Sequence, residues 1–199
     1  MSNAPDWLTA IGTILVAMLA IWGEKVRDLM AGPKLVLEAR NFRGEITKLN
    51  DGEDAIFYHL SVRNKRSWVP AKNVRILVAG ILKQKSDLSY YREDVFVPQQ
   101  LTWSPAEFHQ ISPTICKDDA LDLGCLVKRG PFRLRTYLIP NNFKGYIEQK
   151  QAMRVELIIS SDNFVSEKPY VYEISWDGFW SENLYEMEKH LVIKEIKNP

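Results

Sequence analysis

Ile56-Phe57-Tyr58-His59-Leu60-Ser61-Val62-Arg63-Asn64 alternates side chains at a period of two. Successive side chains of a strand point to opposite faces. Tyr58, Leu60 and Val62 therefore face a core, and His59, Ser61 and Arg63 face outward. Upstream, Asn50-Asp51-Gly52 is a strong turn signal, and before it Leu35, Leu37 and Ala39 alternate with Val36, Glu38 and Arg40. Downstream, a loop runs through Pro70 and a second strand through residues 73–80. Further strands are expected at 100–103, 120–128, 132–139, 153–160 and 170–176, separated by Gly, Pro, Asn and Asp clusters. Many short strands with no amphipathic helices between them argue against parallel α/β architecture. The expected fold is mainly β: an antiparallel β-sandwich-like domain or open barrel over residues 33–199. Asp177-Gly178 then turns the chain, and Ser181 is expected to cap a short C-terminal helix with Leu184, Met187 and Leu191 on one side.

Before this domain the pattern changes. Residues 7–23 read WLTAIGTILVAMLAIWG, 17 residues without a charge. As a helix they extend about 25 Å, the short end of what a bilayer core of about 30 Å accepts. Trp7 and Trp22 bracket the run as interfacial aromatics do, and Gly32-Pro33 ends the helix. A secretory signal would carry basic residues ahead of the run and small residues at a cleavage site; MSNAPD and Ile21-Trp22-Gly23-Glu24 supply neither. Residues 1–32 are therefore expected to form one transmembrane helix with a juxtamembrane extension. Lys25, Arg27 and Lys34 follow the run and no basic residue precedes it. Positive residues stay inside, which predicts a single-pass protein of the inner (cytoplasmic) membrane with its N-terminus out and residues 33–199 in the cytoplasm. Thr9, Thr13, Ala17 and Ala20 share one stripe of small residues, which lets helices approach closely in lipid. They are the candidates for oligomerisation or for lining a pore, against the plainer reading of an anchor with incidental threonines.

The composition narrows the chemistry. With 26 basic and 25 acidic residues the net charge is +1, so the chain is no polycation, and any anion-binding surface must be local. Cys116 and Cys125 read as unrelated thiols, and without a histidine cluster they make no zinc site. His59, His109 and His190 are scattered. No phosphate-cradling glycine loop, nucleophile elbow or zinc-protease motif occurs. No metal, cofactor or catalytic residue is expected. One local cluster stands out: Lys128-Arg129-Gly130-Pro131-Phe132-Arg133-Leu134-Arg135-Thr136-Tyr137. On a strand, Arg133, Arg135 and Tyr137 share one face while Phe132, Leu134 and Thr136 seal the core, with Lys128 and Arg129 at the preceding turn. Guanidinium groups beside an aromatic ring bind phosphate and stack a base; the alternative is a solvated strand face. A second candidate is Lys65-Arg66-Ser67-Trp68, a tryptophan beside two cations that could equally fold onto the sandwich edge or the membrane surface.

Trp7-Leu8-Thr9-Ala10-Ile11-Gly12-Thr13-Ile14, a basic break, and then Gly32-Pro33-Lys34-Leu35-Val36-Leu37-Glu38 resemble uncharacterised bacterial single-span membrane proteins with a cytoplasmic β-sandwich. Residues 58–64 and 70–76 are similar to the second and third strands of such domains. The overall plan also resembles the membrane effectors of bacterial anti-phage systems, such as the Hailong-type effector. That resemblance implies a homo-oligomeric pore gated by a nucleotide or oligonucleotide, with an operon-encoded partner supplying the signal. Three readings stand: a ligand-gated membrane effector, a membrane-tethered interaction module without channel activity, and an enzyme whose site is assembled from distant residues.

Overall fold

In the computed structural model residues 6–49, 52–93, 97–105 and 111–197 are described, and in the N-terminal helix the side chains of residues 7–23. That helix, α1, runs Asp6–Ala31. The chain continues through β1 (Leu35–Lys48), β2 (Asp54–Asn64), β3 (Arg75–Gln84), β4 (Tyr90–Glu93), β5 (Gln99–Gln100) and β6 (Asp118–Val127). There follow β7 (Phe132–Leu134), β8 (Tyr146–Ile147), β9 (Gln151–Ser161), β10 (Phe164–Val165), β11 (Tyr170–Trp176), α2 (Leu184–Met187) and β12 (Leu191–Ile196).

The strands form two antiparallel sheets. The first has the order β1-β2-β6-β7-β8; the second has β12-β11-β9-β3-β4, with β10 on β9 and β5 on β3. Their apolar faces share one core, where Tyr58, Leu60, Leu121 and Phe132 of the first sheet join Ile76, Val78, Val155 and Tyr172 of the second. This is the layering of a β-sandwich. Segment 101–104 crosses between the layers. Leu101 N–H donates to Ile76 in the second sheet, and Ser104 N–H donates to Ala120 in the first. Trp103 is fully buried in the crossing, and its Nε1 donates to the Ile111 carbonyl at 3.2 Å.

The period-two reading of residues 56–64 holds residue by residue: Tyr58, Leu60 and Val62 are buried while His59 and Ser61 are only partly covered and Arg63 is exposed. Elsewhere the elements differ from expectation. Strand 132–139 stops at Leu134, because the Arg135 N–H turns to the Leu123 carbonyl and Tyr137 N–H to Gln100. Leu191 opens β12 rather than closing a helix, since Leu191, Val192 and Ile193 alternate and pair with Trp176, Ser175 and Ile174. The α2 N-cap is Asn183, whose side chain accepts from Tyr185 N–H at 3.1 Å. Ser181 supports the cap from outside, accepting from Asn183 N–H and bonding the Glu186 carboxylate. The Asn50-Asp51 turn and His109 lie outside the described residues, as do the side chains of Lys25 and Arg27.

The described part of α1 has no apolar face packed on the sheets. Trp7, Leu8, Ile11, Ile14, Leu15, Val16, Met18, Leu19, Ile21 and Trp22 are each between 46% and 74% exposed, on every side of the helix. The Thr13 hydroxyl donates back to the Thr9 carbonyl at 2.9 Å, so it is satisfied within the helix. Among the described residues, however, no helix is long and apolar enough to cross a membrane. The expected full span is corrected to that extent. The apolar run of 17 residues extends only about 25 Å against a core of about 30 Å.

Candidate anion-binding face

The first sheet's outer surface carries the predicted arginines. Register aligns Glu45, Phe57, Cys125, Arg133 and Tyr146 across β1, β2, β6, β7 and β8. The expected in–out alternation from Phe132 to Thr136 is present: Phe132, Leu134 and Thr136 are buried, Arg133 is exposed and Arg135 half-buried. Each guanidinium lies over a ring. Arg133 is 5.9 Å from the Tyr146 centroid and Arg135 5.4 Å from that of Phe57. Such stacking pre-orients a guanidinium at low entropic cost.

Around Cys125, whose thiol feels Arg135, Asp122 and Arg133, lies a polar layer that sequence reading missed. His59 pairs with Asp122 across the bulge between β2 and β6. Its Nδ1 is 2.8 Å from Asp122 Oδ1, and its Nε2 is 3.7 Å from Glu45 Oε2. The 2.8 Å contact has ion-pair distance but not hydrogen-bond alignment, so both buried atoms lack a hydrogen bond, as does buried Arg135 Nε. His59 Nδ1 and Asp122 Oδ1 at least face each other, whereas a buried donor without a hydrogen bond, as at Arg135 Nε, is rare in folded proteins. Cys125 sits in the same layer. Burial pushes its thiol above the ordinary value and Asp122 adds to this, while Arg135 and Arg133 pull the other way. A thiol held protonated is a poor nucleophile. Both cysteines are free, Cys116 exposed and Cys125 buried.

The remaining predicted residues do not join this face. Tyr137 packs against the core, and its hydroxyl accepts from Trp103 N–H at 3.4 Å, so Phe57 and Tyr146 supply the aromatic surfaces instead. Lys128 is held by Glu182 at 2.7 Å and Asp54 at 3.4 Å. The Glu182 hydrogen bond keeps its ammonium above the ordinary value, and its charge is already matched. Arg129 lines a separate groove of about 550 Å³ with Glu148, Gln149 and Trp176. The predicted cluster thus divides into an arginine face and a turn. Only cross-strand register brings Phe57 to the arginines and His59 to Asp122, and no local spacing encodes that.

Among the described residues no three His, Cys, Asp or Glu side chains stand close enough to hold a metal ion. Comparison with family models, curated proteins and solved structures returns no match.

Proposed function

We propose that this protein is a membrane-anchored effector. In this reading α1 inserts into the inner membrane and self-associates, and the β domain on the cytoplasmic side binds an anionic ligand through Arg133 and Arg135. The ligand class is a nucleotide or oligonucleotide, as the resemblance to anti-phage effectors implies, and its binding gates the helices. The observation that carries the reading is the bare apolar surface of α1. Ten large apolar side chains about half exposed forgo on the order of 10 kcal/mol of burial, comparable with a domain's whole stability. Lipid or other copies of the helix must cover them. The helix's shortness favours both together, because a bilayer accommodates a short hydrophobic stretch by thinning, by snorkelling of flanking residues or by oligomerisation of the helices. Thr9, Thr13, Ala17 and Ala20 offer the close-packing stripe. Ligand binding gates the assembly if it favours one packing of the domains over another.

The test is the native mass of the full-length protein in detergent, followed by titration with mono- and oligonucleotides. A defined homo-oligomer that binds, and whose Arg133→Ala, Arg135→Ala double variant keeps its mass but loses about tenfold or more in affinity, supports the reading. A monomer, or binding untouched by the double variant, overturns it.

One observation favours a second reading, a tethered protein-interaction module. β12 is an edge strand, and beside it opens a groove of about 720 Å³ lined by Lys168, Tyr170, Val171, Glu195 and Ile196. An open edge accepts a partner's strand. Replacing α1 by an unrelated transmembrane helix preserves function in this reading and abolishes it in the first.

A further inference from the structure

The end of the β domain that meets α1 has a character of its own. Arg66 donates to the Gly32 carbonyl at 3.0 Å, and Lys65 N–H to the Lys34 carbonyl at 2.8 Å. Lys34 N–H in turn donates to Asn64 Oδ1 at 3.2 Å. The loop after β2 is tied to the β9–β10 turn, with Asn163 Nδ2 donating to Pro70 at 3.1 Å and Asp162 N–H to Lys72 at 3.0 Å. The Asn64 N–H donates to the Lys117 carbonyl. These bonds gather one surface around the helix root.

That surface is basic and carries bare apolar groups. Lys34, Lys65, Lys72, Lys117 and Lys168 are all exposed. Asp118, Asp162, Glu167 and Glu195 are exposed carboxylates among them, and Asp162 accepts from Asn73 at 2.6 Å. Trp68 is 74% exposed at the loop tip and Val165 61% exposed on β10. Beside the root opens a groove of about 500 Å³ lined by Lys34, Val36, Val165, Lys168 and Tyr170. The turns at the opposite end mix the two signs, Glu148, Asp177 and Glu182 standing among Lys128, Arg129 and Lys150, and Lys128 is paired with Glu182.

We propose that this α1-proximal end is a membrane-docking face: Trp68 enters the interface and the lysines contact anionic lipid headgroups. The inference rests on the anchored reading above. Tryptophan favours the membrane–water interface, and lysines near it are drawn to anionic lipid. The geometry allows it. Eight helical residues between Gly23 and Gly32 lift the root about 12 Å above the apolar run, and the headgroup layer takes up about half of that. Lysine and tryptophan side chains reach the rest. Continuity with the apolar helix selects lipid as the occupant.

The test uses full-length protein reconstituted in nanodiscs of phosphatidylcholine, with or without phosphatidylglycerol. Nitroxide labels are placed by Ser67→Cys, Leu15→Cys and Gln149→Cys, each with Cys116→Ser. A Leu15 label shielded from a water-soluble relaxant establishes the anchor independently. The proposal expects the Ser67 label to lose about threefold or more in accessibility when anionic lipid is added, with the Gln149 label unchanged. It expects Lys65→Glu with Lys168→Glu to reverse that loss. A shielded Leu15 with a fully aqueous Ser67 overturns the docking face and leaves the anchor. Shielding of Ser67 that ignores lipid charge and both substitutions overturns it too. An aqueous Leu15 overturns the anchored reading itself.

Discussion

The same residue types are arranged inside out in the two regions of this molecule. In the β domain Leu60, Ile76, Val155 and Trp103 are sealed between two sheets. In α1 Leu15, Ile21, Val16 and Trp22 stand bare. Burial area, not composition, decides what each region requires of its surroundings. The domain supplies its own apolar environment, and the helix must find one outside itself. The largest expected effect follows directly. Full-length protein should sediment with membranes and need detergent for release, whereas residues 33–199 should stay in the supernatant as a folded domain. A full-length chain that remains soluble and monomeric without detergent would erase the distinction.

Stability measurements sharpen it. Phe132 is fully buried, with its ring 5.9 Å from that of Tyr58 in an edge-on contact, and Trp103 is buried at the sheet crossing. Phe132→Ala or Trp103→Ala should each cost about 3–5 kcal/mol in thermal or denaturant unfolding of the domain. Ile14→Ala or Leu15→Ala in α1 should leave that transition within about 0.5 kcal/mol, because neither side chain touches the core. A comparable loss from the helix substitutions would mean that α1 folds back onto the sheets.

The contrast between the regions is also a contrast in legibility. The uncharged run of α1 and the alternation of residues 56–64 are local periods, and both appear where the sequence puts them. Arg133 and Arg135 reach the solvent side for the same reason, since alternation survives although regular pairing ends at Leu134. Leu191 was open to misreading because a helical stripe and a short strand share it; tertiary pairing with β11 decides the matter. The polar pair of His59 and Asp122 was beyond local reading altogether. His59 and Asp122 meet across a bulge between strands more than sixty positions apart.

Gly44 shows how a bulged strand constrains its residues. Its φ is +76°, and an added Cβ would lie 2.5 Å from Ile56 Cγ2 and 2.9 Å from the Phe57 carbonyl. Gly44→Ala should therefore destabilise the domain by about 1–3 kcal/mol, combining left-handed strain with overpacking. Gly12→Ala in α1, where nothing lies within 4 Å, should leave domain unfolding unchanged. Equal unfolding of wild type and Gly44→Ala would mean that β1 relaxes without cost.

The smallest effect expected is a pH dependence that belongs to the sandwich alone. Lys83 on β3 donates to the Tyr146 carbonyl, and its ammonium lies 4.8 Å from the Tyr146 ring centroid, which Arg133 of the other sheet also approaches. Burial lowers its pKa to about 8 from 10.5. Between those values the unfolded chain binds more protons than the folded one, so stability rises with pH across that window. Below it the cost of burying the charge is fully present. Tyr58 and Tyr172 work the other way. Burial holds their hydroxyls above the usual 10, and burial with Glu173 raises Tyr90 to about 12. The folded chain keeps those protons after the unfolded chain has lost them, so stability falls above about pH 10. A shallow maximum should result. Lys83→Met should remove its rising limb and stabilise the domain at neutral pH by on the order of 1 kcal/mol, discounted for the partial exposure of Lys83. Residues 7–23 contain no titratable group, and Asp6, Glu24, Lys25, Arg27 and Asp28 beside them belong to α1 and not to the sheets, so the unfolding transitions of full-length protein and of residues 33–199 should trace the same profile if the two regions are separate units. Profiles that diverge between pH 8 and 10 would show that the helix shifts the titration of the sheets, and the two regions would then be one energetic unit rather than two.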